Sequence, residues 1–157
     1  MRYTVRDMKE EEYPLLDEFL YQAIFIPEGV QPPDRDIIEQ PELRVYVQNF
    51  GQQSADSCLV ADVGGKPVGA VWVRIMNDYG HIDDKTPSFA ISLLPQYRGQ
   101  GIGTALMRAM LEQLREKGIK QASLAVQKDN YAVSLYRKCG FETVGENEQE
   151  YIMLCRL

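Results

Sequence analysis

With 157 residues, 45% of them apolar and 10% aromatic, the chain has the material for a single globular domain with a proper core, spanning 1–157. A net charge of −6 and a pI near 4.9 argue against a nucleic-acid backbone as the main partner. Residues 1–7 lack a signal-peptide core and no apolar run approaches the ~20 residues of a membrane helix, so a soluble cytoplasmic protein without a membrane partner is expected.

Residues 3–6 read as a short strand. Asp7 with Glu10 forms a capping-box signature, and Leu15, Leu16, Phe19, Leu20 and Ala23 predict a helix ending near Ile26-Pro27. The turn-rich run 28–33 leads into a second helical stretch from Asp34, which Pro41 must kink or split. Residues 59–63 and 67–75 are strand-like, and Gly64-Gly65 between them suits a two-residue hairpin turn. After a polar loop at 79–86, residues 88–94 supply another strand, closed by Pro95. Ile102, Ala105, Leu106, Ala109, Met110 and Leu114 mark a helix up to Gly118, a suitable C-cap. A strand at 123–126 follows. Asp129 and Asn130 can cap a helix bearing Ala132, Leu135, Tyr136 and Cys139, ended by Gly140, and 141–144 with 151–156 close the chain as a strand pair. This order defines a mixed α/β layer fold.

Cys58, Cys139 and Cys155 are odd in number and widely spaced, and His81 is the only histidine. They form neither a disulfide framework nor a metal clip, so they read as buried reduced thiols, and no metal is expected.

Chemistry concentrates at Arg98-Gly99-Gln100-Gly101-Ile102-Gly103, between a strand and an amphipathic helix. Glycines let a ligand approach the main chain, and the first helical turn leaves unpaired N–H donors that, with the helix dipole, favour phosphate. Arg98 adds a permanent cation at the lip. The P-loop pattern fails because Gly101-Ile102-Gly103-Thr104 lacks Gly-Lys-Ser/Thr. The dinucleotide fingerprint fails as well, since its last glycine falls on Thr104 or Leu106.

The same loop resembles the acetyl-coenzyme A signature of the GNAT N-acetyltransferase superfamily, Arg/Gln-x-x-Gly-x-Gly/Ala. Asn130-Tyr131-Ala132-Val133-Ser134-Leu135-Tyr136-Arg137-Lys138-Cys139-Gly140-Phe141 resembles that family's second block, Asn-x-x-Ala-x-x-Leu-Tyr-x-x-x-Gly-Phe, and the element order agrees. The resemblance implies a mostly antiparallel central sheet with a splayed parallel strand pair, flanked by about four helices. It implies acetyl-CoA as cofactor, with its pyrophosphate on Arg98, Gly99, Gly101, Ile102, Gly103 and Thr104. Ser92, Leu93 and Leu94 would pair with the pantetheine arm like an added strand, and the Leu93 amide would face the thioester carbonyl as an oxyanion donor. Asn130 reads as a helix cap, as a cofactor contact, or as both. Tyr136 reads as a core tyrosine from its helix face; by resemblance it also contacts the cofactor and acts as general acid toward the departing thiolate.

Where many relatives carry a glutamate base, this chain has Ser88; a water chain to His81, Asp83, Asp84 or Glu28 is one substitute, each of these reading equally as a solvated loop residue, and an acceptor amine of lowered pKa would reduce the need for a base. By resemblance the acceptor pocket is lined by 25–30, including Phe25 and Glu28, and by the turn 145–150. Glu28, Glu146, Glu148 and Glu150 suit a cationic acceptor, or equally a solvated acidic surface. Trp72 and Arg74 alternate onto one strand face and are candidate substrate contacts. The expected function is transfer of an acetyl group to a primary amine of a small molecule, amino acid or peptide. A non-catalytic acetyl-CoA binding module and an aminoacyl-tRNA acetyltransferase stay open, as does a homodimer.

Overall fold

The computed structural model describes residues 2–157. One sheet of seven strands runs β1-β2-β3-β4-β5-β7-β6, built from β1 (Thr4–Asp7), β2 (Ser57–Val63), β3 (Lys66–Arg74), β4 (Ser88–Leu93), β5 (Gln121–Gln127), β6 (Glu142–Glu146) and β7 (Glu150–Arg156). The helices are α1 (Leu16–Ala23), α2 (Pro41–Arg44), α3 (Ile102–Glu116) and α4 (Ala132–Lys138). Neighbouring strands are antiparallel except β4 and β5. The expected fold class is therefore the observed one.

The β4–β5 pair is what positions the site. The two strands meet at Ser88↔Ser123, where the Ser123 N–H donates to the Pro87 carbonyl at 3.0 Å, and no further residues pair, so they diverge into an open gap.

Strand alternation sorts the core onto two faces. On one, Ile102, Leu106, Met107, Met110, Leu111 and Leu114 of α3 bury against Val71, Phe89, Leu124 and Met153. On the other, Leu16, Phe19 and Leu20 of α1 cover Val60, Ala70 and Trp72. Such residues contribute about 1.5–3 kcal/mol each on burial, which makes the sheet the rigid frame of the site. The β2–β3 hairpin turns at Gly64-Gly65 (φ +62° and +90°), with the Gly65 N–H donating to Asp62 Oδ1.

Two local expectations shift. The capping residue is Lys9, whose N–H donates to Glu12 Oε1 at 2.9 Å, because Asp7 still belongs to β1 and Glu10–Leu15 form a 3-10 turn. Helix α1 ends at Ala23, where Ile24 turns extended, earlier than its apolar periodicity suggests. That early exit leaves residues 24–26 to line a cleft.

Candidate active site

The gap opens into a cleft of about 700 Å³ that runs from the end of α1 past β4 and the glycine loop to the start of α4. Helix α3 begins at Gly101 (φ +84°) without any side-chain cap. Its first intrahelical bond is from the Ala105 N–H to the Gly101 carbonyl, which leaves the preceding turn of N–H donors for a ligand. Gly99 (φ +73°) and Gly101 adopt the left-handed conformation that glycine takes without strain, and a Cβ on either would meet no atom within 4 Å. The loop is thus open, positively polarised backbone facing a cleft, which fits a pyrophosphate.

Backbone direction in β4 is equally specific. The Leu94 N–H donates to the Val68 carbonyl at 2.9 Å, so by the period of two the N–H groups of Ser92 and Ala90 also point to β3. Those of Leu93 and Ile91 then point into the gap. Arg98 secures this geometry: its Nε donates to the Leu93 carbonyl (3.1 Å) and its Nη2 to the Gln22 carbonyl and Oε1 (3.2 and 3.1 Å). The guanidinium therefore ties the glycine loop to β4 and α1 as well as charging the rim.

Of the residues expected to hold the cofactor, Ser92, Leu93, Arg98, Gly99, Gly101, Gly103, Thr104, Asn130 and Tyr136 line the cleft. Ile102 and Leu94 do not. Ile102 is fully buried under the sheet, and Leu94 has committed its N–H to β3. The Ser92 hydroxyl donates to the Phe19 carbonyl at 2.6 Å, so its side chain anchors α1. Asn130 Oδ1 accepts from the Ala132 N–H at 2.9 Å, a capping contact that leaves its amide nitrogen available.

Tyr136 is buried between α4 and the sheet, against Phe141, at the cleft wall. Its hydroxyl has no hydrogen-bond partner among the described residues, and burial pushes the phenol well above its ordinary pKa. The group is a neutral O–H, able to donate, throughout the physiological range.

Phe25 and Glu28 line the cleft, whereas Trp72 and Arg74 are buried and lie outside its lining. The Trp72 indole is wholly buried and donates to the Tyr46 carbonyl at 3.0 Å. Arg74 forms a bidentate pair with buried Asp56 and donates to the Val45 and Gln48 carbonyls, so its charge is satisfied inside the protein. Among the expected bases, His81 Nδ1 contacts the Met76 carbonyl, and Asp83 accepts from Thr86 and Lys85 within its own turn. Asp84 is almost fully exposed, and only Glu28 borders the cleft.

One acidic group was not legible in the sequence. Ser88 Oγ donates to Asp78 Oδ1 at 3.1 Å, and Tyr46 Oη donates to Asp78 Oδ2 at 2.9 Å, which places a carboxylate beside the serine that stands in the glutamate's position. An aspartate preceding Gly80 looks like any turn acid, and nothing local distinguishes it. The cysteines carry no such chemistry: Cys58 and Cys155 are buried, Cys139 is half-buried, and burial raises all three thiols.

An open glycine loop at the head of α3, beside a splayed parallel strand pair in an otherwise antiparallel sheet, defines an acetyltransferase architecture. The family model described as "Acetyltransferase (GNAT) family" matches residues 15–141, and the chain belongs to that family. Among relatives, the mycothiol acetyltransferase of Pseudarthrobacter chlorophenolicus is 26% identical over 129 residues, covering 82% of this chain and 40% of that one. The [ribosomal protein bS18]-alanine N-acetyltransferase of Haemophilus influenzae is 35% identical over 85 residues, covering 47% of this chain and 58% of that one. The chain thus spans less than two thirds of the length of these relatives. The crystal structure of PaiA N-acetyltransferase from Thermoplasma acidophilum in complex with coenzyme A superposes with a TM-score of 0.73 at 18% identity, covering all of both chains.

Proposed function

We propose that the protein is an N-acetyltransferase that moves an acetyl group from acetyl-CoA to a primary amine of a small molecule, amino acid or peptide by direct attack. The reading is carried by one coincidence: uncapped α3, the gap-facing Leu93 N–H and the unpartnered Tyr136 hydroxyl border the same cleft. Relatives bear names as different as mycothiol and ribosomal-protein alanine acetyltransferase, so the acceptor is proposed as a class. Glu28 at the mouth favours a cationic acceptor. The three free thiols support work in a reducing cytoplasm.

Acetyl-CoA, when bound, supplies an acyl carbon activated as a thioester. The chain's own residues do the rest. Backbone N–H groups from Gly99 to Thr104 would hold the pyrophosphate, with Arg98 stiffening the loop. The Leu93 N–H would donate to the carbonyl oxygen as negative charge develops there, a contribution of about 3–4 kcal/mol for one such donor in other enzymes. The Tyr136 O–H would give its proton to the sulfur.

An amine and peptide panel with free-thiol detection tests the reading, with coenzyme A added to a thermal melt in parallel. Ligand at 100 times its Kd stabilises by about 2.7 kcal/mol, so a clear rise in Tm is expected. Tyr136→Phe should lower turnover roughly 10- to 1000-fold with little change in cofactor affinity. Absence of thermal protection removes the proposal. Unchanged turnover in Tyr136→Phe, with chemistry rate-limiting, removes only that residue's role.

A further inference from the structure

Four side chains from four separate segments gather where β4 and β5 part. Asp78 accepts from Tyr46 Oη and Ser88 Oγ, one donor on each carboxylate oxygen. Ser88 is the β4 residue that pairs with β5 at the fork. Glu150 sits opposite Gln127 at the open end of the β5–β7 ladder. By alternation Ser88, Ser123, Gln127 and Glu150 share the sheet face covered by α1, opposite the face on which Tyr136 is buried.

The loop carrying Asp78 is fastened to this place. Ser123 Oγ donates to the Gly80 carbonyl at 2.7 Å. A Cβ on Gly80 would lie 3.1 Å from the Ala125 nitrogen and 3.4 Å from Asp78 Oδ2, so the loop presses on the gap-facing edge of β5. The Glu150 carboxyl is pushed up by burial first and by Asp78 second. The Tyr46 phenol is pushed up by burial and Asp78 in the same order, which keeps it a donor.

We infer that Asp78 is the proton acceptor of the transfer reaction, oriented by Tyr46 and Ser88, with Glu150 as the second negative charge that draws an ammonium group to the same fork. The inference rests on the acetyltransferase reading above. An incoming ammonium gives one proton to Asp78, which returns it to solvent. As the N–C bond forms and the C–S bond breaks, a second N–H proton passes to Asp78 and the Tyr136 proton goes to sulfur. Solvent then reprotonates Tyr136 and deprotonates Asp78. Carboxylates on one face and the phenol on the other separate the proton taken from the proton given. Tyr46, Ser88 and Glu150 are the groups facing Asp78, and the first two are positioning residues.

The test uses the full chain and the fastest acceptor of the panel, with coenzyme A protection of the wild type as the control for the parent reading. Asp78→Asn should lower turnover by about 10²- to 10⁴-fold, the range of a general base, with coenzyme A protection retained. Two further variants are read without turnover, by following the carboxyl carbon-13 shift of Asp78 against pH. Tyr46→Phe removes a donor to the carboxylate, so the Asp78 midpoint should rise. Glu150→Gln removes a neighbouring negative charge, so it should fall. The acid limbs of the corresponding pH–rate profiles should move in the same directions. Wild-type turnover in a folded Asp78→Asn protein overturns the inference while leaving the acetyltransferase reading intact. Should Asp78→Asn fail to fold, unmoved midpoints and acid limbs in both other variants overturn it instead.

Discussion

The two flanks of the β4–β5 gap are built by different rules. The flank proposed to receive the phosphate comes from two continuous stretches, 92–104 and 129–136, and offers mainly main-chain N–H groups. The opposite flank comes from Tyr46, Asp78 and Ser88, held together by side-chain bonds between distant segments, with Glu150 on the same sheet face. The difference follows from the ligands. Phosphate recognition needs exposed backbone at a helix start, which glycine spacing encodes within a few residues. Proton transfer needs a particular side chain at a particular place, which only packing of separate elements can supply.

The contrast can be broken hardest on the scaffold beneath the second flank. Arg74→Met leaves the Asp56 carboxylate, whose side chain is 0% exposed, without its cation. A loss of about 3–5 kcal/mol is expected for a broken buried pair. In thermal denaturation that corresponds to a fall of roughly 10 °C or more. Coenzyme A affinity of the protein that remains folded should not change, because Arg74 supports only the other side; a loss of affinity matching the loss of stability would mean that the flanks are not separable.

A smaller effect, with the opposite signature, is expected from Gly101→Val. A β-branched residue forced to φ +84° costs about 1–3 kcal/mol in backbone strain and puts methyl groups into the space open to a ligand. The Kd for coenzyme A, measured by calorimetry, should rise roughly 10- to 100-fold. Amine KM should stay nearly constant, and equal weakening of both substrates would argue against a loop dedicated to the phosphates.

The smallest effect sharpens the electrostatics. Glu150 has a raised pKa, so it contributes stability that is fully present below the ordinary carboxylate range and is lost as pH rises through its folded value. Glu150→Gln should therefore melt higher than wild type at pH 7, by roughly 1–3 °C, and equally with it near pH 4. A lower melting temperature at pH 7 would show that Glu150 is favourably paired, contrary to a carboxyl raised by burial and by Asp78.

Most elements could be read from the chain because their signals are local. Gly64-Gly65 turns the hairpin, and Pro41 separates a 3-10 turn (Arg35–Glu39) from α2, as their chemistry requires. The apolar stripe from Ile102 to Leu114 is α3. Boundaries that depended on competing partners moved. Glu12, hydrogen-bonded to Arg6, fixes the turn that Asp7 and Glu10 had suggested two residues earlier. Side-chain direction was harder still. Trp72 and Arg74 looked like a substrate face by alternation, but that face is covered by α1 and the segment around Tyr46.

The sequence alone determined the family resemblance, and it singled out the glycine loop and Tyr136 as candidates, since each lies within a short motif whose spacing carries its geometry. Tertiary structure alone decided where β4 and β5 separate, that the Leu93 N–H faces the opening, and that Asp78 reaches Ser88 across the fork. Those outcomes depend on strand pairing and on contacts between segments far apart in the chain, and no local pattern of residues records them.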